Sequence, residues 1–137
     1  MPWNFGDILD AISPVLPQDA PAFVHGERRI TWGDTTKRTN NLARALIERG
    51  AKPGDKLAFY MRNRPEYGEL LASGFKARLT HVNVNYRYKP DEVFYIFDNS
   101  DAQTVVYGSE FRDTIEQIRS RLSKVATFIE AVSYTHL

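Results

Sequence analysis

Short apolar segments alternate with amphipathic ones between residues 50 and 130, which is the pattern of alternating strands and helices. Residues 56–61 (KLAFYM) are mostly uncharged and predict a buried parallel strand. A polar break and a proline then predict a helix over residues 65–75, and residues 80–85 predict the next strand. Sheets built from such strand–helix–strand units hold ligands beyond the carboxyl ends of their strands.

The flanking segments continue this pattern. A short helix is expected over residues 5–12, and residues 22–25 and 28–31 predict a hairpin around Gly26-Glu27. Thr31 begins a capping-box pattern for a helix that Gly50 ends. The remaining predicted elements are a helix over 90–97, a turn over 98–101, a strand over 104–107, a helix over 110–122 and a strand over 126–129.

This order of elements predicts an α/β fold, in which an N-terminal hairpin is followed by alternating strands and helices that form a mainly parallel sheet. The sequence contains no internal repeat, low-complexity run or linker, so one compact unit is expected.

Composition restricts the classes of function. The 137 residues are 42% hydrophobic and 26% charged, as in ordinary globular proteins. The sequence has 18 basic and 17 acidic residues and so lacks the excess of positive charge that binds a phosphate backbone. A nucleic-acid partner is therefore not expected. The absence of cysteine excludes disulfides, thiolate metal sites and a cysteine nucleophile. With no signal-peptide pattern and no long apolar run, the chain is expected to be soluble and cytoplasmic.

The last residues break the pattern. Back-translated as GTC TCT TAT ACA CAT CT, the chain from Val132 onward is similar to a transposon-end adaptor used in sequencing libraries. We therefore expect residues 131–137 to be a non-native tail, with native sequence ending near Glu130; a frayed natural terminus is the alternative. His136 consequently carries no functional argument.

Candidate chemical groups are few. His25 and His81 each stand alone on a predicted strand, which favours structural roles over metal binding or proton transfer. Residues 98–101 (DNSD) lack the glycine and the closing glutamate of a calcium loop, and are better explained as a helix end and a turn.

Two polar segments follow predicted strands. Arg62-Asn63-Arg64 lies at a carboxyl end, where guanidinium groups can bind phosphate, although solvated loop residues are the simpler interpretation. Five polar or aromatic residues follow the second strand: Asn83, Asn85, Tyr86, Arg87 and Tyr88. Two interpretations are open: these residues line a cleft, or they pack at an interface. Packing at an interface is the favoured interpretation.

Several blocks, weak alone but specific in their shared order, resemble the opening of AMP-forming acyl-CoA synthetases of the adenylate-forming superfamily. The blocks are RITWGD from Arg29, NLARAL from Asn41, GAKPGDKLA from Gly50, NRPE from Asn63, GFKA from Gly74, VNYRY from Val84, DEV from Asp91 and DNSDA from Asp98.

Two positions depart from the family pattern, which often has glycine at Arg78 and proline at Asn83. The segments FKAR and NVNYRY look like the branch that acts on fatty acids and steroid side chains.

The resemblance implies that residues 1–130 are the N-terminal part of an incomplete AMP-binding large domain. It implies a parent ligase that uses ATP, Mg²⁺ and coenzyme A to convert a fatty or steroid carboxylic acid into its thioester. A homo-oligomer is compatible with the resemblance, which does not decide the oligomeric state. The family's phosphate loop, magnesium motif, ribose-binding acid and catalytic lysine do not occur here. No catalytic, cofactor-binding or metal-binding residue is therefore assigned, and these residues alone are expected to be inactive.

Other interpretations remain open at this point. One is a free-standing, non-enzymatic binding module with a flavodoxin-like sheet. Within the superfamily, a peptide-synthetase adenylation domain or a luciferase-like oxidase would open in a similar way.

Overall fold

The computed structural model describes residues 3–132 and confirms the α/β fold, with a parallel sheet and an N-terminal antiparallel hairpin. The helices are α1 (Phe5–Ile12), α2 (Trp32–Glu48), α3 (Pro65–Lys76), α4 (Pro90–Asn99) and α5 (Arg112–Ile118). The strands are β1 (Pro21–His25), β2 (Arg28–Thr31), β3 (Lys56–Tyr60), β4 (Thr80–Asn83), β5 (Ala102–Gly108) and β6 (Thr127–Ala131).

Two compact units emerge where the sequence predicts one. We call residues 3–54 and 63–79 the helical unit, and residues 55–62 and 80–132 the sheet unit. Helix α3 lies between β3 and β4 in the chain, yet it packs with α1 and α2. The division therefore falls inside the strand–helix–strand segment, where no linker composition marks it.

In the helical unit, side chains cap both early helices. The Asn4 side chain accepts a hydrogen bond from the Asp7 amide at 3.1 Å and so begins α1. The predicted cap of α2 is confirmed, because the Thr31 hydroxyl accepts from the Asp34 amide at 3.1 Å. Gly50 follows α2 with a φ of 99°, the left-handed conformation expected at this stop.

Helix α1 is held against α3 by close packing and charge. Gly6 leaves no room for a Cβ atom, which would lie 2.7 Å from the Phe75 carbonyl oxygen. Asp7 accepts two hydrogen bonds from the Arg78 guanidinium, both at 2.8 Å. An eight-residue helix is too short to be stable alone, so these contacts decide its position.

The sheet unit contains four parallel strands in the order β4-β3-β5-β6. Residues of β3, β5, α4 and α5 form its apolar core: Ala58, Tyr60, Val93, Phe97, Ala102, Val105, Tyr107, Ile115 and Ile118, with Val84 and Leu122. Strand β5 lies inside the sheet, between β3 and β6, and nearly all of its residues are buried.

Two segments differ from the sequence prediction. The single helix expected over 110–122 is divided into a 3-10 turn (Ser109–Phe111), α5 and a second 3-10 turn (Arg119–Arg121), and no side chain caps α5. Strand β4 ends at Asn83, since the Asn85 side chain accepts from the Arg87 amide and turns the chain. The non-native tail expected over residues 131–137 stays a prediction: Ala131 belongs to β6, and residues 133–137 lie outside the described residues.

Candidate functional site at the carboxyl edge of the sheet

The strand order creates one point where the chain reverses its direction across the sheet. From β3 the chain passes to β4 on one side, and β5 then pairs with β3 on the other side. In open parallel sheets, the crevice beyond the carboxyl ends at such a point is where ligands bind. The candidate site therefore lies beyond the ends of β3 and β5.

Aromatic rings occupy this edge. The Phe111 ring, just after β5, lies 4.6 Å from the Tyr60 ring at the end of β3 and 6.3 Å from the Tyr86 ring (centroid distances). The Tyr60 hydroxyl donates to the Tyr88 carbonyl at 3.1 Å, and burial raises the pKa of Tyr60. The rings thus join the chain segments that leave β3, β4 and β5.

Two arginines lie close to the Tyr86 ring. The Arg62 guanidinium lies 4.7 Å from the centroid of Tyr86, and that of Arg87 lies 5.6 Å from it. Both arginines are exposed, and neither forms an ion pair with an acid of residues 3–132. We call Arg62, Tyr86, Arg87 and Phe111 the edge cluster. It combines positive charge with flat apolar surface, which suits phosphate groups and planar rings.

A second network lies where β5 and β6 end. Glu130 accepts hydrogen bonds from the Arg112 guanidinium and, at 3.2 Å, from the Tyr107 hydroxyl. The bond to Arg112 is the main reason that the pKa of Glu130 is lowered. Burial, followed by the charge of Glu130, raises the pKa of Tyr107. In this network the charges of Glu130 and Arg112 are paired with each other. Its hydrogen bonds link β5 to β6 beside the edge cluster.

The other polar residues noted beside the strands have separate positions. Asn63 is exposed, and Arg64 is the residue that precedes helix α3 in the helical unit. Asn83 and Asn85 are exposed at the end of β4, and Tyr88 is 40% exposed. Of the segment Arg62-Asn63-Arg64, Arg62 is the residue that joins the edge cluster; phosphate contact itself stays a prediction.

His25 and His81 belong to different units of the fold. His25 is exposed in the hairpin of the helical unit. His81 is half-buried on β4 with its ring edge-on to Phe59 at 4.9 Å, and burial lowers its pKa. Within residues 3–132, no group of three histidine or acidic side chains is arranged to hold a metal ion.

Of residues 98–101, which were predicted to form a turn, the first two belong to the last turn of α4, and Ser100 and Asp101 form the turn that follows. Helix α4 ends there, and Asp101 adopts a left-handed φ of 58°. The Lys124 ammonium donates to the Asp98 carbonyl at 3.0 Å and to the Asp101 carboxylate at 2.9 Å.

The sequence pattern did not single out three residues at this edge of the sheet. They are Phe111, whose ring contacts Tyr60 and Tyr86, and the paired residues Arg112 and Glu130. Phe111 fitted the apolar face of the predicted helix, whereas it belongs to the 3-10 turn after β5. Its signal in the sequence was its position, three residues beyond the last residue of a buried strand.

Comparison with known proteins gives the family. The sequence profile described as "AMP-binding enzyme" matches residues 13–135. The chain therefore belongs to the AMP-binding enzyme family. No helix within the described part of the chain is long and apolar enough to cross a bilayer.

Similar proteins are acyl-CoA ligases. The chain is 33% identical over 94% of its length to a 3-oxocholest-4-en-26-oate–CoA ligase of Rhodococcus rhodochrous. It is 31% identical over 92% of its length to a medium/long-chain-fatty-acid–CoA/3-oxocholest-4-en-26-oate–CoA ligase of Mycobacterium marinum. The chain spans 23%, about a quarter, of the length of both relatives.

A solved structure has the same fold. A fatty acyl CoA synthetase of Mycobacterium tuberculosis matches 93% of this chain with a TM-score of 0.85 and 28% identity, and the match covers 26% of that protein. The α/β architecture is thus that of the N-terminal part of acyl-CoA ligases.

Proposed function

We propose that this chain is part of an ATP-dependent ligase that joins a fatty or steroid carboxylic acid to coenzyme A. The observation that carries the proposal is the 33% identity, over nearly the whole chain, to a ligase named for a steroid acid. In the reaction, the carboxylate attacks the α-phosphate of ATP, which forms an acyl-AMP and releases diphosphate. The thiolate of coenzyme A then displaces AMP and forms the thioester.

Within such an enzyme, we infer that the sheet unit is the scaffold and that the edge cluster contacts an anionic part of a substrate. Arg62 and Arg87 supply two positive charges without an acidic partner within residues 3–132. Both guanidinium groups lie over the ring of Tyr86. Guanidinium groups in this setting favour the phosphates of ATP or coenzyme A over an uncharged ligand.

The chemical step itself requires groups that these 137 residues do not contain. Stabilising charge at phosphorus takes backbone amides, a divalent cation and a positioned base or cation. No glycine-rich phosphate loop occurs in the sequence. We therefore infer that the 137-residue chain alone has no ligase activity.

The test is to express the complete open reading frame and, separately, the 137-residue chain. We expect the complete protein to release AMP in the presence of ATP, Mg²⁺, coenzyme A and either a steroid side-chain acid or a long-chain fatty acid. The 137-residue chain should give no ATP–diphosphate exchange above a blank.

Each alternative has its own outcome. Thioester formation on a carrier protein in place of coenzyme A would identify a peptide-synthetase type of enzyme instead. A complete protein that adenylates no carboxylic acid would refute the proposal. ATP–diphosphate exchange catalysed by the 137-residue chain would refute the inference that this chain alone has no ligase activity.

A further inference from the structure

The segment that carries Phe111 is short and has little structure of its own. Residues 108–111 connect β5 to α5, and Ser109–Phe111 form a 3-10 turn. Within the described part of the chain, no side chain caps this turn or α5. Because a single 3-10 turn has weak internal hydrogen bonding, the position of Phe111 depends on contacts with the rest of the sheet unit.

One carboxylate bonds to the residues on both sides of this segment. The Tyr107 hydroxyl, directly before residue 108, donates to Glu130 Oε2 at 3.2 Å. Arg112, directly after Phe111, donates from Nε to Oε2 at 3.1 Å and from Nη2 to Oε1. Glu130 itself is placed by the sheet, since it is the register partner of Tyr107 in the β5–β6 pair.

The surroundings of Glu130 make this anchor stronger than an ordinary surface ion pair. Its side chain is only 22% exposed, and Tyr107 is 4% exposed. A partly buried pair is screened less by solvent and salt than an exposed one. Hydrogen bonding to Arg112 lowers the pKa of Glu130, so the carboxylate keeps its charge at neutral pH.

The position of Phe111 in turn affects the arginines of the edge cluster. Its ring stacks on the Tyr86 ring, with an angle of 29° between their planes. The Tyr86 ring is the one over which the guanidinium groups of Arg62 and Arg87 lie. A displaced Phe111 would therefore leave Tyr86 without packing on one side and would loosen both arginines.

We propose that Glu130 is a positioning residue of the edge cluster: by bonding to Tyr107 and Arg112 it fixes residues 108–111, and so holds Phe111 and Tyr86 in the arrangement that binds an anionic part of a substrate. The substrate contact rests on the proposed function. The effect of Glu130 on the position of Phe111 does not, and it can be measured without substrate.

The first experiment places para-fluorophenylalanine at position 111 of the complete protein and records its fluorine NMR signal. We expect Glu130→Ala to shift or broaden this signal. Glu116→Ala is the matched control, because Glu116 also pairs with an arginine that follows Phe111, Arg119, at 3.4 Å. It should leave the signal unchanged. Equal changes in the two variants would overturn the proposal.

The second experiment measures steady-state kinetics with the substrate whose KM responds to Arg62→Ala. Glu130→Ala should raise that KM about threefold to tenfold and change kcat less than about twofold, because binding and not chemistry is affected. Glu130→Gln keeps the size and one acceptor oxygen, so its KM should lie between those of the wild type and Glu130→Ala. A KM that rises no more in Glu130→Ala than in Glu116→Ala would overturn the proposal.

Arg112→Ala tests whether Glu130 acts through its partner. The Arg112 side chain is 59% exposed, so its removal should leave the protein folded. The double variant Arg112→Ala/Glu130→Ala should have the KM of Glu130→Ala alone, because both changes break the same bond. Fully multiplicative effects would refute the role of that bond. A complete protein that adenylates no carboxylic acid would refute the proposed function, and the fluorine signal would still decide whether Glu130 positions Phe111.

Discussion

At the scale of single residues, Arg78 shows how one side chain compensates for an unfavourable backbone. Its φ of 66° lies in the left-handed region, where glycine is favoured. The arginine instead forms the paired hydrogen bonds with Asp7, which a glycine could not make.

Another residue-scale feature is a buried acid that the sequence did not single out. Glu69 is 2% exposed and accepts two hydrogen bonds of 2.8 Å from Arg38. Hydrogen bonding to Glu69 is the main reason that the pKa of Arg38 is raised. Glu69 would be an uncompensated buried charge without that partner, so the pair fixes α2 against α3.

The edge cluster leads to a prediction at this scale. In the complete protein, Arg62→Ala or Arg87→Ala should raise KM for ATP or for coenzyme A about tenfold, because a charge-assisted contact to phosphate is lost. Steady-state kinetics with each substrate varied in turn would show which one the cluster contacts.

Arg119→Ala is the matched control for that measurement. Arg119 also lies over an aromatic ring, 4.2 Å from the centroid of Phe128, but it is outside the edge cluster. If KM for both substrates changes no more in the two cluster variants than in Arg119→Ala, the cluster does not contact phosphate.

At the scale of elements, the position of α1 depends on its contact with α3. Gly6→Ala would place a methyl group 2.7 Å from the Phe75 carbonyl and 2.8 Å from the Lys76 Cα, and a helix backbone cannot move aside. We expect a loss of about 2 kcal/mol in the free energy of unfolding, as for other overpacked sites. Urea denaturation would give this value, and hydrogen exchange would show lost protection in α1.

Gly33→Ala is the comparison for Gly6→Ala. Its new methyl group would meet the Gln18 carbonyl oxygen at 3.1 Å, a contact that a small shift relieves. We expect a clearly smaller loss of stability there. Equal losses in the two variants would mean that general effects of alanine, and not the α1–α3 contact, explain the result.

At the scale of the whole molecule, stability should depend on pH in two stages. The first belongs to His81, whose pKa is lowered by burial from an ordinary value of 6.5. Because the unfolded chain binds this proton more readily than the folded one, stability should fall as the pH decreases below about 6.5.

The second stage belongs to carboxylates whose pKa values are lowered by basic partners. Their pairs are Asp7 with Arg78, Asp101 with Lys124, and Glu130 with Arg112. Their contribution is complete above the ordinary values of 3.8 for aspartate and 4.5 for glutamate, and is lost as the pH falls through the lower folded values.

Urea midpoints measured from pH 8 to pH 3 would resolve these stages. His81→Gln should remove the upper stage and leave the lower one. Asp101→Asn should reduce the lower stage and leave the upper one. An upper stage that persists in His81→Gln would contradict its assignment.

The sequence by itself determined the order of the main helices and strands, the caps at Thr31 and Gly50, and the family. These features depend on neighbours a few residues apart, whose spacing along the chain is also their spacing in a helix or strand.

Only the tertiary structure decided that α3 joins the helical unit, that Phe111 approaches Tyr60 and Tyr86, and that Glu130 pairs with Arg112. Those contacts join residues far apart in the chain. Strand register and the packing of side chains bring them together, and the periodicity of the sequence contains neither.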